Sequence, residues 1–271
     1  MGTTAYDTFE KMLKRRHWLY RPWIPYLKAI EGEGFLTLDI KRPVLDLACG
    51  DGVFTQSVFG AQFEAGFDLY EPDLRKAKAN GSHKSLTRAS AYEAPYKTGS
   101  FGTVISVCAI EHMPEIDRVL GEVGRVLAPG GRFIFTVPSV YFGGGLLTPA
   151  IYKMFGLNSM AARYADRKNA RSQHYHVLPV AEWERRIGLA GMDIKSHMYV
   201  IDERELLLWS FMASSFFKPL TYPFRWLKSE ALDRLFERFL LGTFGGVLAR
   251  SVPGTSSTGG YLLVEAVRRG A

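Results

Sequence analysis

The side chains best able to do chemistry in this 271-residue chain fall in a few short stretches. The first is Val44-Leu-Asp-Leu-Ala-Cys-Gly-Asp-Gly52, an apolar run with one carboxylate, Asp46, that leads into Gly50 and Gly52. A helix-like stretch, Val53 to Phe59, follows. This order predicts a buried strand, a tight turn and a helix N-terminus. The glycines let backbone approach a ligand closely, and the free N–H groups of the helix start favour an anionic group. Phe63 to Asp68 reads as a second strand ending in a carboxylate. It follows the turn at about twenty residues, the spacing of a group that binds ribose hydroxyls. Ala109-Ile-Glu-His-Met-Pro114 carries His112, whose imidazole, with an unperturbed pKa near ~6.5, can accept a proton from a hydroxyl. His174-Tyr-His176 adds two more imidazoles. His17, His83 and His197 read as surface or core residues.

The elements that must position these groups alternate. Strands are expected near 43–48, 63–68, 85–89, 103–109, 131–138, 192–200 and 260–267, with helices near 52–59, 72–80, 115–127 and 179–190. That alternation implies βαβ units and a mostly parallel sheet with helices on both faces. Ligands then gather outside the carboxyl ends of the strands. Ala128-Pro-Gly-Gly131 should stop one helix before the sheet resumes at Arg132. Residues 5–31 predict a helix, a bend at Pro22 and Pro25, and a second short helix.

Composition narrows the partners. A net charge of +7 is compatible with nucleic acid, an acidic membrane surface or an anionic substrate. Two cysteines, Cys49 and Cys108, each lie in an apolar run, so a reducing cytoplasm and no disulfide framework are expected. No signal-peptide pattern opens the chain and no uncharged stretch reaches the ~18 residues of a spanning helix.

The turn is Asp-Leu-Ala-Cys-Gly-Asp-Gly and not G-x-G-x-x-G, which puts a dinucleotide second. From Val44 to Pro138, and again near Tyr175, the chain resembles class I S-adenosylmethionine-dependent methyltransferases of the small-molecule type. The resemblance implies a Rossmann-like seven-stranded sheet in a single domain, 1–271, with S-adenosyl-L-methionine as cofactor. It places Asp46, Ala48, Cys49, Gly50, Gly52, Asp68, Leu69, Ser90, Ala91, Val107 and Cys108 around that cofactor. Asp46 and the glycine turn would position its methionine end, and Asp68 its ribose. His112 would stand beside the sulfonium methyl as proton acceptor, or else cap the next helix together with Glu111. His176 is expected to contact the acceptor and is the alternative proton-accepting catalytic residue. Two departures from the family pattern stand out: Ser90 replaces an adenine-holding Asp, and Phe101-Gly102 replaces Phe-Asp. In some ubiquinone-type relatives Glu-x-x-Glu-His holds a divalent ion, but the first Glu position is Cys108 here, so no metal is expected. No Asn-Pro-Pro-Tyr or Pro-Cys follows the fourth strand, which argues against amino-group or covalent pyrimidine chemistry.

Three segments lie outside the minimal pattern: an N-terminal helical segment at 1–40 and insertions at 139–175 and 202–257. The last is apolar, with Leu206 to Met212 and then Leu232, Leu235, Phe236, Phe239 and Leu240 at helical spacing. Lys218, Arg225, Lys228, Arg234 and Arg238 interleave with them. Such a piece can form a lid, lie in a membrane interface, make a homodimer contact or close on itself. The expected acceptor is an oxygen of a hydrophobic small molecule or lipid-linked molecule, and no DNA partner is expected. The alternatives are an RNA-binding methyltransferase, or an inactive membrane-peripheral scaffold with the same fold.

Overall fold

The computed structural model describes residues 4–215, 217–227 and 229–270. Lys228 lies outside them, as do the side chains of His17 and Arg225. The strands are β1 (Val44–Leu47), β2 (Phe63–Asp68), β3 (His83–Arg88), β4 (Phe101–Val107), β5 (Leu127–Pro138), β6 (Met192–Tyr199) and β7 (Tyr261–Arg268). They form one sheet in the order β3-β2-β1-β4-β5-β7-β6. The first five run parallel, and β7 is antiparallel to both β5 and β6. The strand order reverses direction between β1 and β4, so the loops after these two strands open a crevice there.

The helices are α1 (Ala5–Leu13), α2 (Arg16–Leu19), α3 (Trp23–Leu36), α4 (Val53–Phe59), α5 (Glu71–Asn80), α6 (Ile116–Val126), α7 (Leu147–Met154), α8 (Asn158–Arg171), α9 (Val180–Leu189), α10 (Glu203–Met212), α11 (Lys218–Leu227) and α12 (Glu230–Leu248). Two proline-based expectations change. Pro22 is the N-cap of α3 and Pro25 sits in its first turn, where a missing N–H costs nothing, so the second helix is long and not short. Ala128-Pro-Gly-Gly131 lies inside β5, at a shift in the β4–β5 register, and not in a helix stop ahead of the strand.

Two cores cover the two faces of the sheet. On one, Val44, Phe63, Ile105, Ile134 and Leu263 are buried with residues of α1, α3, α10 and α12. On the other, Leu45, Phe67, Phe133 and Val264 meet Val119 and Val123 of α6 and Trp183 and Ile187 of α9. The 202–257 segment therefore packs its inner stripe, Phe236, Leu240, Phe244 and Leu248, into the same core as the N-terminal helices. Leu235 and Phe239, expected on that stripe, face outward instead. Among the described residues no helix is long and apolar enough to cross a membrane.

Candidate active site

The loop after β1 turns sharply. Ala48 (φ 58°), Gly50 (φ 54°) and Gly52 (φ 69°) all adopt left-handed backbone. At Gly52 a side chain is also excluded sterically, since a Cβ would fall 2.0 Å from Ser82 Oγ. At Gly50 nothing lies within 4 Å, so the requirement is conformational and the glycine faces open space. Asp68, at the end of β2, fastens this turn. Its Oδ2 accepts the Gly50 N–H (2.9 Å) and its Oδ1 the Tyr70 N–H (2.8 Å). A cavity of about 260 Å³ opens beside it. Ala48, Asp68, Leu69, Ser90, Ala91 and His112 all line it, together with Tyr92 and Met113. A larger cavity, about 490 Å³, lies against α10 and α12 and holds none of these strand-end residues.

Asp46 occupies a different position from the one expected. It is buried, and its Oδ2 accepts from Thr55 Oγ1 (2.6 Å) and contacts His83 Nε2 (3.0 Å). His83 Nδ1 in turn meets Ser82 Oγ at 2.8 Å. The ring reaches Asp46 across β2 because residue 66 is glycine: a Cβ there would lie 2.7 Å from His83 Cδ2. Asp46 thus ties β1 to α4 and β3 beneath the turn and does not line the cavity. His83, read as a surface or core residue, proves to be the buried partner of this carboxylate. A glycine at the intervening strand position was the available signal.

The β4 end carries a second buried polar group. Cys108 (φ 50°) directs Sγ to Glu31 Oε1 (2.7 Å), which also accepts from Thr136 Oγ1 (2.7 Å). Lys28 pairs with the other Glu31 oxygen at 3.2 Å. Burial and the neighbouring Glu31 push the Cys108 thiol well above its ordinary range, and burial with Asp46 and Asp68 does the same at Cys49. A raised pKa disfavours the thiolate, so neither suits a nucleophile's role. Val107 packs against the core and, like Cys49 and Cys108, is not a cavity wall.

The three candidate histidines and Glu111 meet where the 139–175 insertion returns. Residues 173–176 dock on 111–114: Tyr175 N–H donates to Glu111 O (2.9 Å), and His112 Nδ1 lies 3.1 Å from Gln173 O. A carbonyl only accepts, so the His112 proton sits on Nδ1 and its Nε2 carries a lone pair. His176 Nε2 is 3.0 Å from Met113 O and 3.2 Å from Pro114 O, which makes it a donor to backbone. His174 stands beside His112, ring centroids 5.3 Å apart, and burial lowers its pKa to about 4. Glu111 is 1 % exposed and its Oε2 lacks a hydrogen-bond partner; burial pushes its carboxyl up to about 8. Glu111, His112 and His174 bring potential ligand atoms within 4.8 Å of one another and, among the described residues, are the group that could hold a metal ion. Here His174, not residue 108, takes the third place.

Comparison with known proteins bears on the same region. Residues 45–135 match the model of a methyltransferase domain. A ubiquinone biosynthesis O-methyltransferase from Xanthomonas oryzae pv. oryzae is 29% identical over 168 residues, 58% of this chain and 66% of that protein. An S-adenosylmethionine-dependent methyltransferase from Thermotoga maritima has a TM-score of 0.55 at 14% identity, covering 98% of this chain and 100% of that one. Geranyl diphosphate C-methyltransferase from Streptomyces coelicolor A3(2), solved with S-adenosyl-L-homocysteine, also has a TM-score of 0.55 at 14% identity, covering 92% of this chain and 83% of that one. The chain spans about half to two thirds of the length of the curated relatives it matches. The matched segment holds the glycine turn, Asp68 and the β4 end, and the structural neighbours share the fold around it, so this region is similar to S-adenosylmethionine-dependent methyltransferases.

Proposed function

We propose that this protein transfers a methyl group from S-adenosylmethionine to an oxygen of a hydrophobic small molecule or lipid-linked acceptor. The observation that carries this reading is the carboxylate of Asp68, held by two backbone N–H groups at the wall of a cavity that also contains His112.

The residues present fit the cofactor. Each Asp68 oxygen accepts one N–H and keeps further acceptor capacity, which suits a ribose diol. Gly50 leaves open space where any side chain would intrude. Ala48, Leu69, Ala91 and Met113 offer an apolar wall for a base, with Ser90 and Tyr92 beside it. S-adenosylmethionine, when bound, supplies an electrophilic methyl on a sulfonium. The protein's part is to hold the acceptor in line, which by itself lowers such barriers greatly, and to accept the hydroxyl proton. His112, which lines the cavity, suits the second role because Gln173 O fixes its Nδ1–H and leaves a lone pair on Nε2, 3.7 Å from Glu111 Oε1. His176, engaged with two carbonyls, suits a positioning role for the 173–176 segment.

A hydrophobic acceptor, delivered at a membrane surface, is supported by exposed apolar residues on the outer side of the helical layer. Trp226, Leu227, Leu235 and Phe239 face solvent next to Arg234 and Arg238. That is the composition of an interfacial element.

The test is calorimetric titration with S-adenosylmethionine and S-adenosylhomocysteine. Micromolar binding is expected, and Asp68→Ala should weaken it by about 30-fold or more, as loss of charge-assisted hydrogen bonds does. His112→Ala should leave binding intact and lower turnover by about 100-fold. Unchanged affinity in Asp68→Ala removes the ribose assignment, and no binding by the folded wild type removes the methyltransferase reading.

A further inference from the structure

A third cavity, about 270 Å³, lies between α7 and α8 and is lined by Tyr152, Met160, Tyr164, Arg167, Lys168 and Arg171. No carboxylate among the described residues lines it. Among the described residues none of its three cations has an acidic partner within ion-pair distance, although Arg42, Arg75, Lys76, Lys84, Arg118 and Arg125 each do. A fourth cation, Lys218 of α11, acts on the same place: burial, Lys218 and Arg171 together lower the Lys168 ammonium. Like charges gathered without a counter-charge repel one another, and an anion relieves that repulsion. Two guanidinium groups, an ammonium and two phenol hydroxyls are a donor set suited to a phosphate.

Cations in the last turn of a helix also complement its dipole, which accounts for Lys168 and Arg171. It does not account for Lys218, which comes from α11, or for Tyr152, which comes from α7.

Two other features flank the cavity along α8. Asn169, at the C-terminal end of α8, accepts the His174 N–H at 3.0 Å, and the His174 ring neighbours His112. Lys168 is close enough to His174 to contribute to its lowered pKa. On the opposite side, the α7–α8 turn exposes Met154 (81 %) and Phe155 (74 %), with Leu157 and Met160 beside them. Anion donors thus stand between an apolar tip and the imidazole that faces the candidate methyl site.

We propose that this cavity binds a phosphate group carried by an apolar molecule, with the phosphate on Arg167, Lys168 and Arg171 and the apolar part along the α7–α8 turn. Resting on the methyltransferase reading, the inference further makes this molecule the acceptor, anchored by its phosphate while its hydroxyl reaches His112. The same chemistry can come from a soluble phosphate ester or from an anionic lipid headgroup.

The test uses the full chain without S-adenosylmethionine. Hexyl phosphate, hexanol and inorganic phosphate are titrated calorimetrically at low salt. Hexyl phosphate should bind and hexanol should not. Arg167→Gln with Arg171→Gln should weaken binding by about tenfold or more, as loss of charged hydrogen bonds does, and Lys168→Gln should act in the same direction. Arg185→Gln, which removes a cation paired to Glu182 on α9, should have no effect. Sedimentation with phosphatidate-containing and phosphatidylcholine vesicles separates the sources. Binding to the former that hexyl phosphate displaces assigns a lipid headgroup, whereas binding of hexyl phosphate alone assigns a soluble ester. No binding of hexyl phosphate, or an affinity indifferent to Arg167, Lys168 and Arg171, overturns the inference. A parallel titration with S-adenosylhomocysteine keeps the two readings apart: intact cofactor binding with no phosphate binding sinks this inference alone.

Discussion

Glu111 and His174 lie close together in the fold, and burial moves their titrations in opposite directions. The Glu111 carboxyl is pushed up to about 8 from 4.5, so between these values the folded chain holds a proton that the unfolded chain has released. Stability therefore falls as pH rises through that window. His174 is lowered to about 4 from 6.5, so the unfolded chain takes up the proton first, and stability falls as pH drops from about 6.5 to 4. The two windows overlap, so the opposite slopes cancel between about pH 4.5 and 6.5 and the melting temperature should be level there, falling on either side. In a chelating buffer, Glu111→Gln should flatten the alkaline limb and His174→Asn the acid limb, read by calorimetry across pH 4 to 9. A Glu111→Gln profile that keeps its alkaline slope would show that the carboxyl titrates normally. Much of the site at this scale was legible. Asp68 and His112 stand at strand ends that the hydrophobic pattern locates, and both line the cavity. The Asp46–His83 contact and the approach of His174 to His112 were not legible. Each joins residues dozens of positions apart, and only the folded sheet and the returning insertion bring them together.

At the scale of elements, Gly102 shows how a departure from a family pattern can have a packing cause. β4 begins where the backbone before β1 crosses it, and a Cβ at residue 102 would fall 2.7 Å from Arg42 O and 2.8 Å from Lys41 O. Gly102 N–H also donates to Pro43 O at 2.9 Å. No side chain fits against those carbonyls, so glycine here belongs to the β1–β4 junction. Restoring the family residue with Gly102→Asp should therefore destabilise the protein by about 2 kcal/mol or more, as overpacking does, and should not tighten S-adenosylmethionine binding. Denaturant unfolding with calorimetry checks both; a stable variant with higher affinity would return residue 102 to the cofactor site. The hydrophobic pattern located all seven strands because apolar runs and glycine turns are local signals. It misplaced Pro25 and the Pro-Gly-Gly stretch because a proline breaks a helix only past its first turn, and an irregular β5 absorbs the glycines.

For the whole molecule, the N-terminal helices and the late insertion, widely separated in sequence, make one layer. Phe244 of α12 packs edge-on against Tyr26 of α3 (ring centroids 6.4 Å) and against Phe217 (6.2 Å), and Tyr6 of α1 closes on Gly245. Tyr20 hydrogen-bonds Asp233, and Tyr20 stacks on Phe236 at 6.0 Å. Amphipathic spacing predicted that α12 has an apolar stripe but not what covers it, since periodicity carries no information about the partner. A shared layer has an energetic signature that an independent insertion lacks. Phe244→Ala removes a buried ring, at a cost of about 3–5 kcal/mol by comparison with similar core truncations. If α1, α3 and α12 form one cooperative unit, native-state hydrogen exchange should speed up in all three together while the amides of β1, β2 and β4 keep their protection. Faster exchange confined to α12 would instead make the insertion a separate lid, hinged on a core that is stable without it. The first outcome ties any movement of the exposed Trp226 and Phe239 surface to α3, which carries the Lys28–Glu31 pair behind Cys108. Contact of that outer surface with an apolar ligand or a lipid interface would then be felt at the end of β4.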